Sequence, residues 1–546
     1  MNLFASCLVF FLSITPLTAL CPGKQPTPVG PVVNLGYTTY VGTQLSNGVN
    51  QYLGVRYAAA PLGKLRWRAP IKPPQTNAVE TATTFPPLCL GINEAYPTNG
   101  YSEDCLFANI WAPANATTAS KLPVWVFIPG GGYNAISNGN WIGDEVVEKS
   151  GNNIVMINFN YRVGLFGFLA SERVRQDGNL NVGMLDQRML LLWIKQHISQ
   201  FGGDPDHVVI HGASAGAGSV ALHFVAYGGR NDNLFVGGIA ESIFFPAQPF
   251  VSELEYQFDR VVLQTNCSTA AADQQMSCLR GLDASVLQKA NIAQEFPGRT
   301  EPPLPLFYWT PAVDGDYLPD LPSTLYENGR FLKLPMLLGT TTDEGTIFVT
   351  NASTPADMTT FFGNNYPKLT PNDTDAILGL YPLQSKLPEH AVWFPSTQQA
   401  YGEATFICPA VNVLNAMETG VQDLFAYRYN VQDDENTAAG IGVLHVFEAA
   451  AVFGPDNIGG SRTSYKTYNA AIVPVVMNYW ISFVRTLDPS TLRSAGAPTW
   501  DRWGSGTGFS RLLFETNNSR METTPGDQLS RCQFWLGMGG TLEQKI

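Results

Sequence analysis

The chain has 546 residues, 45% of them hydrophobic and 14% charged, with a net charge of −13 and a sequence pI near 5.0. This composition excludes a disordered chain and supplies enough apolar material for a large core. The negative sign argues against nucleic acid and anionic membrane surfaces as partners, because both repel an acidic protein.

The first predicted element is a leader. Residues 8–14 are almost wholly apolar, and Leu17-Thr18-Ala19 offers a small-residue cleavage site, so residues 1–19 read as a signal peptide although no Lys or Arg precedes the apolar run. No later stretch is long and apolar enough to insert stably in a membrane, and the polar end Glu543-Gln544-Lys545 argues against a lipid anchor. Five N-x-S/T sequons, at Asn115, Asn266, Asn351, Asn372 and Asn517, agree with export to the extracellular medium. Of eight cysteines, Cys7 leaves with the leader and Cys21 sits near the new terminus. The other six, Cys89, Cys105, Cys267, Cys278, Cys408 and Cys532, suggest disulfides, and none has the spacing of a zinc or redox site.

The N-terminal third reads as strands and turns. The apolar run 124–128 ends at Pro129-Gly130-Gly131-Gly132; a second, 154–157, leads into Asn158; a third, 208–210, ends at His211-Gly212. Short apolar runs stopped by glycine fit buried parallel strands. Between the last two, Leu185, Met189, Leu192, Trp193 and Gln196 recur at helical spacing. Strand, helix, strand predicts a parallel sheet covered on both faces, with further strands near 335–339 and 424–429. No Pro/Ser-rich linker divides the chain, so residues 20–546 are expected to form a single α/β domain with long insertions.

Gly212-Ala213-Ser214-Ala215-Gly216 is a G-x-S-x-G sequence between an apolar run and a helix-compatible stretch, 217–226. A strand that turns this sharply into a helix holds its serine in a strained conformation, exposed at the carboxyl edge of the sheet, and the flanking glycines let strand and helix approach. This is the nucleophile turn of an α/β-hydrolase fold, which predicts acyl transfer on Ser214. The upstream glycines Gly131 and Gly132, with the N–H of Ala215, are candidates to hold the oxyanion. In that fold the acid and then the histidine follow the serine. Of six histidines only His390 and His445 lie well downstream; His390 sits in a polar stretch and His445 in an apolar one, which favours His445. The acid is Asp343 or Glu344, just beyond the apolar run 336–339, and spacing does not choose between them. His207 and His211 flank a strand without an acidic partner, so no metal and no cofactor is expected.

Longer motifs carry a resemblance. Tyr52-Leu53-Gly54-Val55-Arg56-Tyr57, Gly63-Lys64-Leu65-Arg66-Trp67, Ser102-Glu103-Asp104-Cys105-Leu106, the stretch 181–188 and Phe201-Gly202-Gly203-Asp204-Pro205 resemble the type-B carboxylesterase/lipase family, which also holds cholinesterases and some fungal lipases, and point to a secreted fungal member. The resemblance implies Glu344 as the acid, His445 as the base, and an oxyanion hole from Gly131, Gly132 and Ala215. It implies disulfides Cys89–Cys105, Cys267–Cys278 and Cys408–Cys532, leaving Cys21 unpaired. It reads Ser219 as a structural hydrogen-bonding residue, and Arg66, Glu103, Asp104, Arg162, Asp186 and Arg188 as buried ion-pair residues. The chain departs from the family in having Pro129 before the glycines, where many esterases carry histidine. Its loop from 90 to 104 is short; Tyr96 and Tyr101 are its aromatics and it has no tryptophan. The family's lipases carry a longer flap there, and its cholinesterases a choline-binding tryptophan. A small, soluble ester is therefore the expected partner, with a lipase or a phenolic (feruloyl-type) esterase as variants and a non-catalytic binding member as the alternative of a different class. Tyr133, Phe244, Phe245, Phe348 and Phe453 either line the substrate gorge or are ordinary core aromatics, and the sequence does not choose. Nothing in the sequence signals an oligomeric state.

Overall fold

The computed structural model describes residues 30–544 except 99, 461 and 506–508; the leader and Cys21 lie outside the described residues. Eleven strands make one large sheet: β1 Thr43–Gln44, β2 Val49–Arg56, β3 Phe107–Pro113, β4 Leu122–Ile128, β5 Val155–Phe159, β6 Gly203–Ala213, β7 Gly237–Glu241, β8 Met336–Thr341, β9 Leu424–Tyr429, β10 Ser510–Phe514 and β11 Arg520–Thr523. Their spatial order is β11-β10-β9-β8-β7-β6-β4-β5-β3-β2-β1. Pairing is parallel from β5 across to β10 and antiparallel at both margins. A separate three-stranded sheet joins Val32–Asn34, Thr39–Val41 and Val79–Thr81.

The central strands are apolar throughout because both of their faces are buried. In β4, Val124, Val126 and Ile128 enter one core, while Trp125 and Phe127 enter the other. The first face is covered by α1 (Val182–His197) and α2 (Ala215–Val225), the second by helices farther along the chain. The expected helix starts three residues earlier than its apolar spacing suggests. Asn181, at φ 50°, turns the chain into it, and its amide bonds Ala312 O (2.8 Å) and Asp314 Oδ2 (2.7 Å).

Two buried ion pairs fix the loops around this frame. Arg162 donates Nε and Nη2 to the two oxygens of Asp186, each at 2.8 Å, and ties α1 to the segment after β5. Arg66 grips Glu103 in the same two-pronged way. Removing one partner of such a buried pair costs about 3–5 kcal/mol, because the other charge is stranded. Asp104 and Arg188 also pair, with Arg56 and Asp232, but these two bridges are only half-buried. The three expected disulfides are present; Cys408–Cys532 joins α3 (Cys408–Glu418) to the C-terminal helix Gly526–Met538. All five sequon asparagines are exposed. No described helix is long and apolar enough to cross a membrane.

Candidate active site

β6 ends at Ala213 and α2 begins at Ala215, so Ser214 alone makes the turn, at φ 58°, ψ −124°. That backbone region costs a side-chain-bearing residue roughly 1–3 kcal/mol and persists only when the surroundings impose it. Here they do. A Cβ on Gly212 would stand 2.1 Å from Gly216 O, and one on Gly216 would stand 2.0 Å from Ile128 O. Only glycines let the turn close against itself and against β4. Ser214 N donates to Glu241 O at 2.9 Å, and Ser214 O accepts from Gly218 N at 2.9 Å. Ser214 is 9% exposed, and Ser219, one turn on, accepts from Gln187 Nε2 at 3.0 Å.

The loop after β4 lies directly against this serine: a Cβ on Gly130 would meet Ser214 Cβ at 2.9 Å. Its carbonyls are consumed internally. Gly130 O accepts from Ser137 N, Gly131 O from Asn134 N and Ala135 N, and Gly132 O from Asn134 Nδ2. Gly131 (φ 122°) and Gly132 (φ 62°) hold positive-φ conformations open to glycine without strain. Neither N–H, nor that of Ala215 at the start of α2, donates to an acceptor among the described residues. Three unspent donors beside a strained serine hydroxyl make an arrangement able to receive a developing oxyanion.

His445 and Glu344 come together from the segments after β9 and β8. His445 Nδ1 lies 2.5 Å from Glu344 Oε2, and Glu344 Oε1 accepts from Thr341 N at 2.7 Å. The acid is 1% exposed and the imidazole 7%. His445 Nε2 is buried without a partner among the described residues, and Phe406 and Phe348 flank the ring with centroids 4.5 and 5.0 Å away. Asp343 is turned elsewhere and binds the backbone of Val443. Burial pushes its carboxyl up, opposed by the hydrogen bond from Val443 and by Arg428. His390, by contrast, bonds Pro388 O in an exposed turn.

Beneath the site lies a group that sequence reasoning missed. Trp125 Nε1 donates to His211 Nδ1 at 3.0 Å, so the proton of a neutral His211 sits on Nε2, 3.0 Å from Glu241 Oε1 but off a hydrogen-bonding line. Burial drives His211 well below its ordinary range, and Glu241 is pushed up to about 8, chiefly by burial. Glu448 accepts from Tyr427 OH at 2.7 Å and is raised by burial and by the neighbouring Glu241 and Glu344. With no cation among these partners, burial holds both carboxyls above their ordinary range. One signal was available: Glu448 stands three residues after His445 in an otherwise apolar stretch.

Of the aromatic residues singled out, Phe244 and Phe348 belong to a cluster with Phe307 and Phe406 beside His445. Phe307 also sits on the glycine loop after β4, its ring edge 2.1 Å from where a Cβ of Gly132 would be. Phe245 is buried in the same core, and Tyr133 lies deeper, against Phe168 and Phe244. Phe453 takes the core reading of the two. It stacks on His211 and packs against Trp125 and Phe127 on the opposite face of the sheet, because the segment after His445 crosses beneath the strands.

The Cys89–Cys105 loop is held at both ends. Ile92 N donates to Asn134 O, and Gly91 O accepts from Gln288 Nε2 and Asn291 Nδ2, at 2.8–3.0 Å. Its other end is held by the buried Glu103–Arg66 pair.

The Carboxylesterase family model matches residues 30–535. The chain is 32% identical over 507 residues to "Secreted lipase 1" of Botryotinia fuckeliana, covering 84% of each. It is 28% identical to "Acetylcholinesterase" of Bungarus fasciatus, covering 97% of this chain and 89% of that one. The crystal structure of Aspergillus niger EstA superposes with a TM-score of 0.91 at 49% identity, covering 94% of this chain and 99% of that one. A mostly parallel sheet carrying a strained serine at a strand-to-helix turn, matched along its length in these relatives, makes this chain a member of the carboxylesterase family and a carboxylic ester hydrolase.

Proposed function

We propose that the protein is a secreted serine carboxylesterase acting on small, soluble esters through Ser214, His445 and Glu344. The observation that carries this reading is the His445–Glu344 hydrogen bond, which leaves Nε2 as the nitrogen free to take a proton. Ser214 Oγ attacks the acyl carbon as His445 Nε2 accepts its proton. The oxyanion is held by the N–H groups of Gly131, Gly132 and Ala215; the tetrahedral adduct collapses, and His445 returns the proton to the departing alkoxide. Water then repeats the sequence on the acyl-enzyme. Glu344 orients the imidazole and stabilises the imidazolium that forms.

The pinned Cys89–Cys105 loop supports a gorge without a mobile flap and thus a dissolved substrate. A lipase reading draws on relatives named as secreted lipases. The readings separate when hydrolysis of a triglyceride is followed across its solubility limit: an esterase saturates smoothly, and a sharp rise at the interface overturns the flapless reading. Organophosphate labelling tests the nucleophile, since Ser214→Ala must lose both labelling and hydrolysis of p-nitrophenyl butyrate. Export is supported by the leader-like N-terminus and the exposed sequons. N-terminal sequencing of protein from the medium is expected to begin after Ala19.

A further inference from the structure

A second pocket, of about 310 Å³, lies between the last turns of α1, the turn before Thr39–Val41 and the extended segment around Lys72. It shares no lining residue with the Ser214 site. Its floor is aromatic and already ordered. Trp193 Nε1 donates to Tyr37 OH at 3.1 Å, and Tyr37 OH donates to Arg56 O at 2.6 Å, so the polar atoms of both rings are satisfied internally. His197 stands edge-on to Tyr37 with centroids 5.5 Å apart, and 5.4 Å from Trp193, which fixes all three rings before any ligand arrives. Met189 and Leu192 add apolar wall, and Leu192 is 38% exposed.

The polar groups at the rim are, by contrast, unspent. Lys72 makes no ion pair among the described residues, and His197 makes no hydrogen bond there. The ammonium is close enough to help burial hold the imidazole below its ordinary range. A concave, mostly apolar pocket with a few convergent polar groups is the form of a small-molecule site. A sugar would need several paired polar side chains in place of the Met189 and Leu192 walls. One cation over an aromatic floor instead complements a ring that carries one negative charge.

We propose that this pocket binds an aromatic monocarboxylate, with its ring against Trp193 and Tyr37 and its carboxylate on Lys72. The assignment is independent of the roles given to Ser214, His445 and Glu344.

Titration calorimetry of the full-length protein with 3-phenylpropanoate tests it. Saturable one-to-one binding is expected, with 3-phenylpropan-1-ol and glucose each weaker by about tenfold or more, the equivalent of one lost charge-assisted contact. Lys72→Met should weaken the acid about tenfold, Lys72→Arg should retain it, and Leu192→Glu should abolish it by setting a like charge in the wall. Lys72 and Leu192 are exposed, so these variants fold, and hydrolysis of p-nitrophenyl butyrate is expected to be unchanged in them. The proposal is overturned by an absence of saturable heat, by equal affinity for acid and alcohol, by preferred binding of glucose, or by binding that both Lys72→Met and Leu192→Glu leave intact.

Discussion

Asp343 and Val443 are joined in both directions: Asp343 N donates to Val443 O at 3.1 Å, and Val443 N donates to Asp343 Oδ2 at 2.9 Å. The two adjacent acids after β8 therefore divide the work on one loop. Asp343 holds its backbone two residues before the histidine, and Glu344 holds the imidazole itself. Gly442, at φ 58°, passes so close that a Cβ there would strike Asp343 Oδ2.

This division gives the first prediction. Glu344→Gln presents an amide that stabilises the wrong imidazole tautomer, and kcat is expected to fall by about 10⁴. Asp343→Ala loses the backbone clasp, so stability should fall by about 1–3 kcal/mol while kcat stays within roughly tenfold. Steady-state kinetics with denaturant unfolding on both variants decides it, and the reverse ranking in kcat would exchange the roles of the two acids.

The oxyanion loop gives a second. Gly132→Ala drives a methyl group into Phe307 and pushes the loop off Ser214. Losing one aligned donor costs about 10²–10³ in kcat, with KM little changed. Phe307→Ala in the same chain makes room for the methyl group and is expected to recover part of the rate. A double variant no faster than Gly132→Ala would show that backbone strain, and not the collision, sets the defect.

Glu241 gives a third, in pH. Its carboxyl is pushed from 4.5 to about 8 by burial, so the folded protein keeps a proton there that the unfolded chain releases. The stability from this neutral acid is whole below the ordinary carboxylate range and is lost as pH rises toward 8. Glu241→Gln is a neutral isostere that cannot titrate. Its melting temperature should therefore decline less than the parent's between pH 5 and pH 8. Parallel curves for the two proteins would sink the claim that Glu241 is a buried neutral acid.

The disulfides give a fourth. Cys408–Cys532 spans a sequence separation of 124 and Cys89–Cys105 one of 16. By loop entropy, replacing each pair with alanines should cost about 5 and about 3 kcal/mol respectively. Denaturant titration of the two double variants reads the difference directly.

Most of the site is legible along the chain because its parts are punctuated. Glycines stop β4 and β6 where loop and serine must approach, and the elbow and the oxyanion loop follow from that spacing. The order of serine, acid and histidine narrows six histidines to His390 and His445, and the apolar setting favours the second. Spacing stalls at Asp343 and Glu344, because neighbouring residues at a strand end share every local feature and differ only in direction. It also leaves Phe453 undecided between gorge and core. Nearness in sequence to His445 says nothing of which face of the sheet the chain next covers, and Phe453 crosses to the far one. The His211–Glu241 contact is invisible for a related reason: the two residues lie on adjacent strands, β6 and β7, thirty positions apart in a register that only the pairing of those strands defines.

The large sheet ends in β1, two residues long, and β11, four residues long. β11 carries Arg520 and Glu522; Glu522 is spanned by Arg428 and Arg511 from the neighbouring strands. A second chain seeking to extend the sheet at either margin meets too short a row of peptide groups, or a charge it must strip of its partners. The protein can thus be concentrated without offering its copies a template for strand addition.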